Sequence, residues 1–275
     1  MGENLSIDEV SLSQGELYTF VTNKKGRGKR GTMVACIKGT LSKDIITVLE
    51  KISIEKRNQV KEVTLDMAKN MESAVKIVFT KSKLVTDRFH VVKLAMEVLQ
   101  HIRIKQRWEE LDKENKAIED ARKNGVKYQP IVLSNGDSPK QLLARCRYIL
   151  AKKPVDWTLN QKERAELLFQ QYPELKKAYH HTLDFRNIYE NDSAIRAKEK
   201  FLDWINKIHT LEMKEYYTVA NTVKNHLENI LNFFNHRTTN ANAESFNSKI
   251  KLFRANLRGV VDTSFFLFRL TKLFA

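Results

Sequence analysis

Three acids stand where a carboxylate is costly. Asp8 lies in LSIDEVSL, framed by Leu5, Ile7, Val10 and Leu12; Asp66 ends the apolar run VTLD; Glu244 lies in NANAESFNSKIKLFR. An unpaired carboxylate taken out of water costs several kcal/mol or shifts its pKa, so an acid inside an apolar frame needs a cation. A divalent metal ion is such a partner, and Asp8, Asp66 and Glu244 together read as one metal site. Hard oxygen donors suit Mg²⁺, with Mn²⁺ able to substitute. The chemistry of such sites in nucleases and polymerases is phosphodiester cleavage with two ions about 4 Å apart, one activating the attacking hydroxyl and one stabilising the leaving oxygen. The three carboxylates are therefore expected to converge on a common point. The ordinary alternatives are a strand-edge acid at Asp8, a turn cap at Asp66 and a first-turn helix acid at Glu244. Glu9 points to the opposite strand face and reads as structural.

The elements that must position these acids follow from periodicity. Leu5–Leu12, Glu16–Thr22 and Thr32–Lys38 are rich in β-branched and aromatic residues and joined by short Gly-containing links, which predicts an antiparallel meander. Ser42 is expected to cap a helix running to about Ile52, followed by a strand at Glu62–Leu65, a helix over Asn70–Phe79 and a short strand at Lys83–Thr86. Three meander strands followed by alternating helices and strands is the order of a ribonuclease-H-like α/β core, a mixed five-stranded sheet flanked by helices. Such an order brings an acid on the first strand and one at the end of the fourth to one end of the sheet. The stretch between the second and third acids is about three times that between the first and second, far more than a bare core needs. The pattern from Val91 onward is helical, with breaks at Asn124-Gly125, Pro130–Pro139, Pro154 and Pro173. Residues 1–90 are thus expected to begin the catalytic core, 91–237 to form an all-helical insertion joined to it at two crossings, and 238–275 to complete it with the helix that carries Glu244. Trp108, Trp157 and Trp204 fall in the helical block, where packing is the default.

The chain has 275 residues, 42% of them hydrophobic, and 48 basic against 33 acidic residues give a formal charge of +15. That balance favours a polyanionic partner, nucleic acid first. Two basic features suit DNA phosphates. One is the Gly-rich link NKKGRGKRG, with Lys24, Lys25, Arg27, Lys29 and Arg30. The other is the helix after Glu244, where Asn247, Lys251 and Arg254 share its face and Lys249 and Arg258 add charge. No apolar run reaches the ~18 residues of a membrane span, and MGENLSIDE lacks the features of a signal peptide, so the expected location is the cytoplasm. Cys36 and Cys146 are isolated and read as reduced core thiols.

Four stretches in order carry a family likeness: LSIDEVSL, VTLDMAKNM, TDRFHVVK with its D-x-x-H signature, and NAESFNSKIK…FRANLRG…FFLFRL. Together they resemble the catalytic domain of DDE transposases of the ISL-three insertion-sequence family, with Mutator-like transposases as looser relatives. The resemblance implies a ribonuclease-H-like fold, Mg²⁺-dependent DNA strand cleavage and strand transfer, and catalytic acids at Asp8, Asp66 and Glu244. It also places Asp87 and His90 beside the active site as support. The implied partners are transposon ends and target DNA, with the chain acting as a homo-oligomer on them and no membrane involved. Longer members resemble proteins with a zinc-binding and helix-turn-helix head. Met1 stands close before Asp8, so the expectation is either that a separate protein of that kind supplies end recognition or that the head has been cut away or lost. A metal-dependent nuclease without strand transfer, and a DNA-binding remnant without activity, are the competing functions.

Overall fold

The computed structural model describes every residue except Gln14, Thr238 and Val261. Strands β1 (Asn4–Ser13), β2 (Glu16–Asn23) and β3 (Met33–Lys38) form the expected antiparallel meander. Helices α1 (Ser42–Leu49) and α2 (Ile54–Asn58) then lead to β4 (Glu62–Leu65), and α3 (Lys69–Val78) leads to β5 (Lys83–Thr86). Because β4 runs parallel to β1 and β5 parallel to β4, each needs a helical crossover. The result is a mixed sheet of order β3-β2-β1-β4-β5, the ribonuclease-H-like arrangement. Ser42 is the first helical residue rather than the cap, and no side chain caps α1. Burial of Ile45 and Leu49 holds this helix instead. The short α2 has no apolar periodicity in the sequence to announce it.

The remaining helices are α4 (Arg88–Lys123), α5 (Pro139–Arg145), α6 (Leu159–Gln171), α7 (Pro173–Ile188) and α8 (Ala194–Thr210). After them come α9 (Tyr217–Asn225), α10 (Leu227–Leu231), α11 (Phe233–His236), α12 (Ala241–Asn256) and α13 (Thr263–Phe274). No helix among the described residues is long and apolar enough to cross a membrane.

The chain divides into two units, one of residues 1–91, 192–198 and 223–275, the other of residues 92–191 and 199–222. This corrects the expected division. The chain passes between the units four times rather than twice, and the core resumes at Val223 rather than at Thr238, which itself lies outside the described residues. The reason is local: Asn232, just after α10, donates to the Leu84 carbonyl at 2.8 Å, tying this stretch to β5.

In the first unit the period-two alternation of β1 separates two apolar layers. Leu5 and Ile7 face a cluster with Ile45 and Leu49 of α1 and Met71, Ala74, Val75 and Val78 of α3. Val10 and Leu12, together with Tyr18 and Phe20, face Phe246 and Ile250 of α12 and Phe266 and Leu270 of α13. Even-numbered residues of β1 therefore look toward α12. The second unit is helical and centres on buried residues such as Leu143, Cys146, Leu168, Tyr179, Phe185 and Phe201. Trp157 and Trp204 pack there with their indole N–H groups bonded to the Ile149 and His181 carbonyls. Trp108 does not, being 58% exposed on α4.

Candidate active site

Strand register gathers the acids. Ser6 of β1 pairs with Thr64 of β4, so two residues on in both strands Asp8 stands beside Asp66. Leu65 of β4 pairs with Thr86 of β5, so Asp66 in turn stands beside Asp87, whose N–H donates to the Leu65 carbonyl at 2.9 Å. The register thus sets three aspartates in one row, Asp8 in the middle of β1 and Asp66 and Asp87 just past the carboxyl ends of β4 and β5. Asp8 is an even-numbered residue on the α12 side, and Glu244 lies in the first turn of α12, on the same side.

Each carboxylate of the row is oriented by named donors. Asp8 Oδ1 accepts from the Glu9 N–H at 2.8 Å, and Oδ2 from Asn247 Nδ2 at 2.6 Å. Asp66 Oδ1 caps the following turn through the Ala68 N–H at 2.8 Å. Asp87 is only 1% exposed; its Oδ2 lies 3.2 Å from His90 Nδ1 and its Oδ1 accepts from the Asn240 N–H at 3.3 Å. Asn240 carries no signal in the sequence that would single it out. It is fully buried, its amide nitrogen reaches the Ile7 carbonyl at 3.5 Å, and its Oδ1 has no partner, as is also true of Asn247 Oδ1.

The electrostatics are those of crowded anions. Burial raises the Asp8 carboxyl, Asp66 adds to the rise, and the Glu9 N–H, His90 and Asn247 oppose it. Burial likewise raises Glu244, with Asp87 and Asp8 adding to it and His90 opposing. Glu9 is raised by burial, Asp66 and Asp8. His90 is raised first by its hydrogen bond to Asp87, against burial, with the charges of Asp87, Asp66 and Asp8 assisting.

The donor set of hard carboxylate oxygens, desolvated and mutually repelling, has the chemistry a divalent cation would relieve. The oxygens are nevertheless not drawn into one shell: among the described residues no three His, Cys, Asp or Glu side chains are placed to hold a single ion. Asp8 and Asp66 direct oxygens at backbone and amide N–H groups instead.

The basic loop and α12 are joined. Asn242 Nδ2 donates to the Lys24 carbonyl at 3.4 Å, and Lys249 Nζ donates to the Gly28 carbonyl at 2.9 Å. A side chain at Gly28 would collide with Lys249, and its φ of +71° favours glycine as well. Of the residues expected to meet DNA, Lys25, Arg27, Lys29, Arg30, Lys251 and Arg258 are exposed and Arg254 is half-buried. Three others have partners within the chain. Lys24 is largely buried, with Nζ 3.3 Å from Glu62 Oε1 and bonded to Thr64 Oγ1; Asn247 is bonded to Asp8; Lys249 is exposed and bonded to the loop. Lys24 and Glu62 form an internal ion pair, which offsets part of the cost of taking each charge out of water. The signal was present in EVTLD: Glu62, Thr64 and Asp66 alternate with Val63 and Leu65, marking one polar strand face.

A family profile described as a transposase, of the DDE type and ISL-three group, matches residues 5–270. No curated protein gives a significant match.

Proposed function

The chain belongs to the ISL-three family of DDE transposases, and from that premise we propose that Asp8, Asp66 and Glu244 are the acids with which it cuts and joins DNA strands. The observation that carries this is the register that sets Asp8 beside Asp66 beneath the helix bearing Glu244. These three would hold Mg²⁺, as two ions, with Mn²⁺ able to substitute. Bound there, the ions would supply Lewis-acid activation of the attacking oxygen and stabilisation of the departing one. The chain's own residues fix the geometry. Asn247 holds the Asp8 carboxylate, the Ala68 N–H holds that of Asp66, and Asp87 holds both His90 and the entry to α12 through Asn240. Lys25, Arg27, Lys29, Arg30, Lys251, Arg254 and Arg258 would meet phosphates of transposon ends and target. A second copy of the chain and a separate end-recognition protein complete the assembly we envisage.

The test is incubation with pre-cut transposon ends, target DNA and Mg²⁺. Joined products are the expected result. Nicks without joining would replace strand transfer by nuclease action, and a gel shift without any product would reduce the chain to a DNA-binding remnant.

A further inference from the structure

The helical unit carries a cluster of arginines that make no ion pair among the described residues. Arg103 of α4 is 5% exposed, a guanidinium placed almost wholly out of water. Its Nε donates to Gln100 Oε1 at 2.8 Å and its Nη1 to the Leu143 carbonyl at 2.9 Å, so both of these partners are neutral. Gln100 in turn donates to the Arg147 carbonyl at 3.3 Å, fastening the 143–147 stretch against this face of α4. Arg107 lies one helical turn beyond Arg103 on that face. No ion pair among the described residues engages Arg103, Arg107 or Arg147. Nearby Asp137 pairs with Arg145 and Arg164 instead. Neighbouring Cys146, its thiol pushed up to about 12 mainly by burial, supplies no counter-charge at neutral pH. Burial and then the charges of Arg147 and Arg107 pull Arg103 down, the direction that missing anions produce. Arg107 and Arg147 are exposed, and Arg147 lies 5.4 Å from the centre of the 70%-exposed Tyr148 ring.

We propose that Arg103, Arg107 and Arg147 form a phosphate-binding site of the helical unit that takes the sugar-phosphate backbone of a DNA strand. Arg107 and Arg147 make the contacts, while Arg103 supplies a fixed charge beneath them that solvent ions screen poorly. Two guanidinium forks match adjacent phosphate oxygens better than lysines would. The site rests on the reading that the chain works on DNA, but it is independent of the acids and of the basic loop.

The test is binding of the full chain to a short duplex of arbitrary sequence across a salt series. It compares wild type, an Arg107→Ala/Arg147→Ala variant, a Lys116→Ala/Lys127→Ala variant of equal charge loss, and a Lys25→Ala/Arg27→Ala/Arg30→Ala loop variant. The arginine pair is expected to lower affinity about tenfold and to flatten the log–log salt dependence by about two contacts' worth. Its melting temperature should match wild type, because both side chains are exposed, and the lysine pair should bind almost as wild type does. Equal losses from the two pairs, or none from the arginine pair, overturn the site. If the loop variant still weakens binding in that case, the proposed function stands without it. Absence of DNA binding by wild type overturns both.

Discussion

Asp8 concentrates the chemistry of this molecule at the scale of one residue, since it is half-buried, faces α12 and takes hydrogen bonds on both oxygens. Replacing Asp8 or Asp66 by Asn, or Glu244 by Gln, is expected to lower strand joining by more than about a hundredfold, the scale of a lost electrostatic stabiliser. Melting curves should show little loss of folding. Asp8→Asn should even raise the melting temperature of the metal-free protein, because it removes a desolvated charge repelled by Asp66; a marked decrease would mean that burial and repulsion do not dominate at Asp8. The same sign sets a pH dependence. Asp8, Glu9, Glu244 and His90 all have raised folded-state pKa values. Their stabilisation is present below their unfolded values, near 4 for the acids and 6.5 for His90, and is lost as pH rises through the folded ones. Metal-free melting temperature should therefore fall as pH rises above about 4, and Mg²⁺ should recover most of the loss at the alkaline end. A flat or rising profile without metal would refute this. Asn247→Ala should reduce turnover more than DNA affinity, because Asn247 holds the Asp8 carboxylate.

Between elements, the decisive contacts run from α12 and the basic loop to the sheet. Lys24 and Glu62 tie the turn after β2 to β4 inside the protein. Glu62→Ala would leave the Lys24 ammonium buried without its carboxylate, and we expect a loss of about 3–5 kcal/mol in urea unfolding. A loss below about 1 kcal/mol would mean that the ammonium finds water. Lys249→Ala should act differently, leaving stability nearly unchanged while freeing the Gly28 region. Hydrogen exchange should then rise over residues 24–31 and remain unchanged in β1.

For the whole molecule, the cations proposed to meet DNA belong to a loop, the flank of α12 and the cluster on the helical unit, all suited to phosphates rather than base edges. Phosphate contacts position a protein without reading sequence. We therefore expect the chain alone to prefer a transposon-end duplex over a scrambled one of equal length by less than about a hundredfold at near-physiological salt, below the usual range of specific binders. A stronger preference in a competition experiment would assign sequence reading to this chain itself.

The strands and most helices of the core were legible because period-two and helical patterns are local properties of the chain. Four short motifs in order were enough for the family. Asp8 and Asp66 stood out because an acid at the centre or end of an apolar run needs a reason, and the neutral, isolated cysteines were equally plain. The tertiary structure alone decided which neighbours those acids have. Register between strands far apart in sequence sets Asp87 next to Asp66. The packing of α12 on the even face of β1 makes Asn247 a partner of Asp8. The same holds for Lys24, whose pairing with Glu62 joins residues in different elements, and for the return of the chain to the core at Val223, fixed by a bond from Asn232 to β5. Composition counts charges, but burial and long-range pairing determine which of them solvent and DNA can meet.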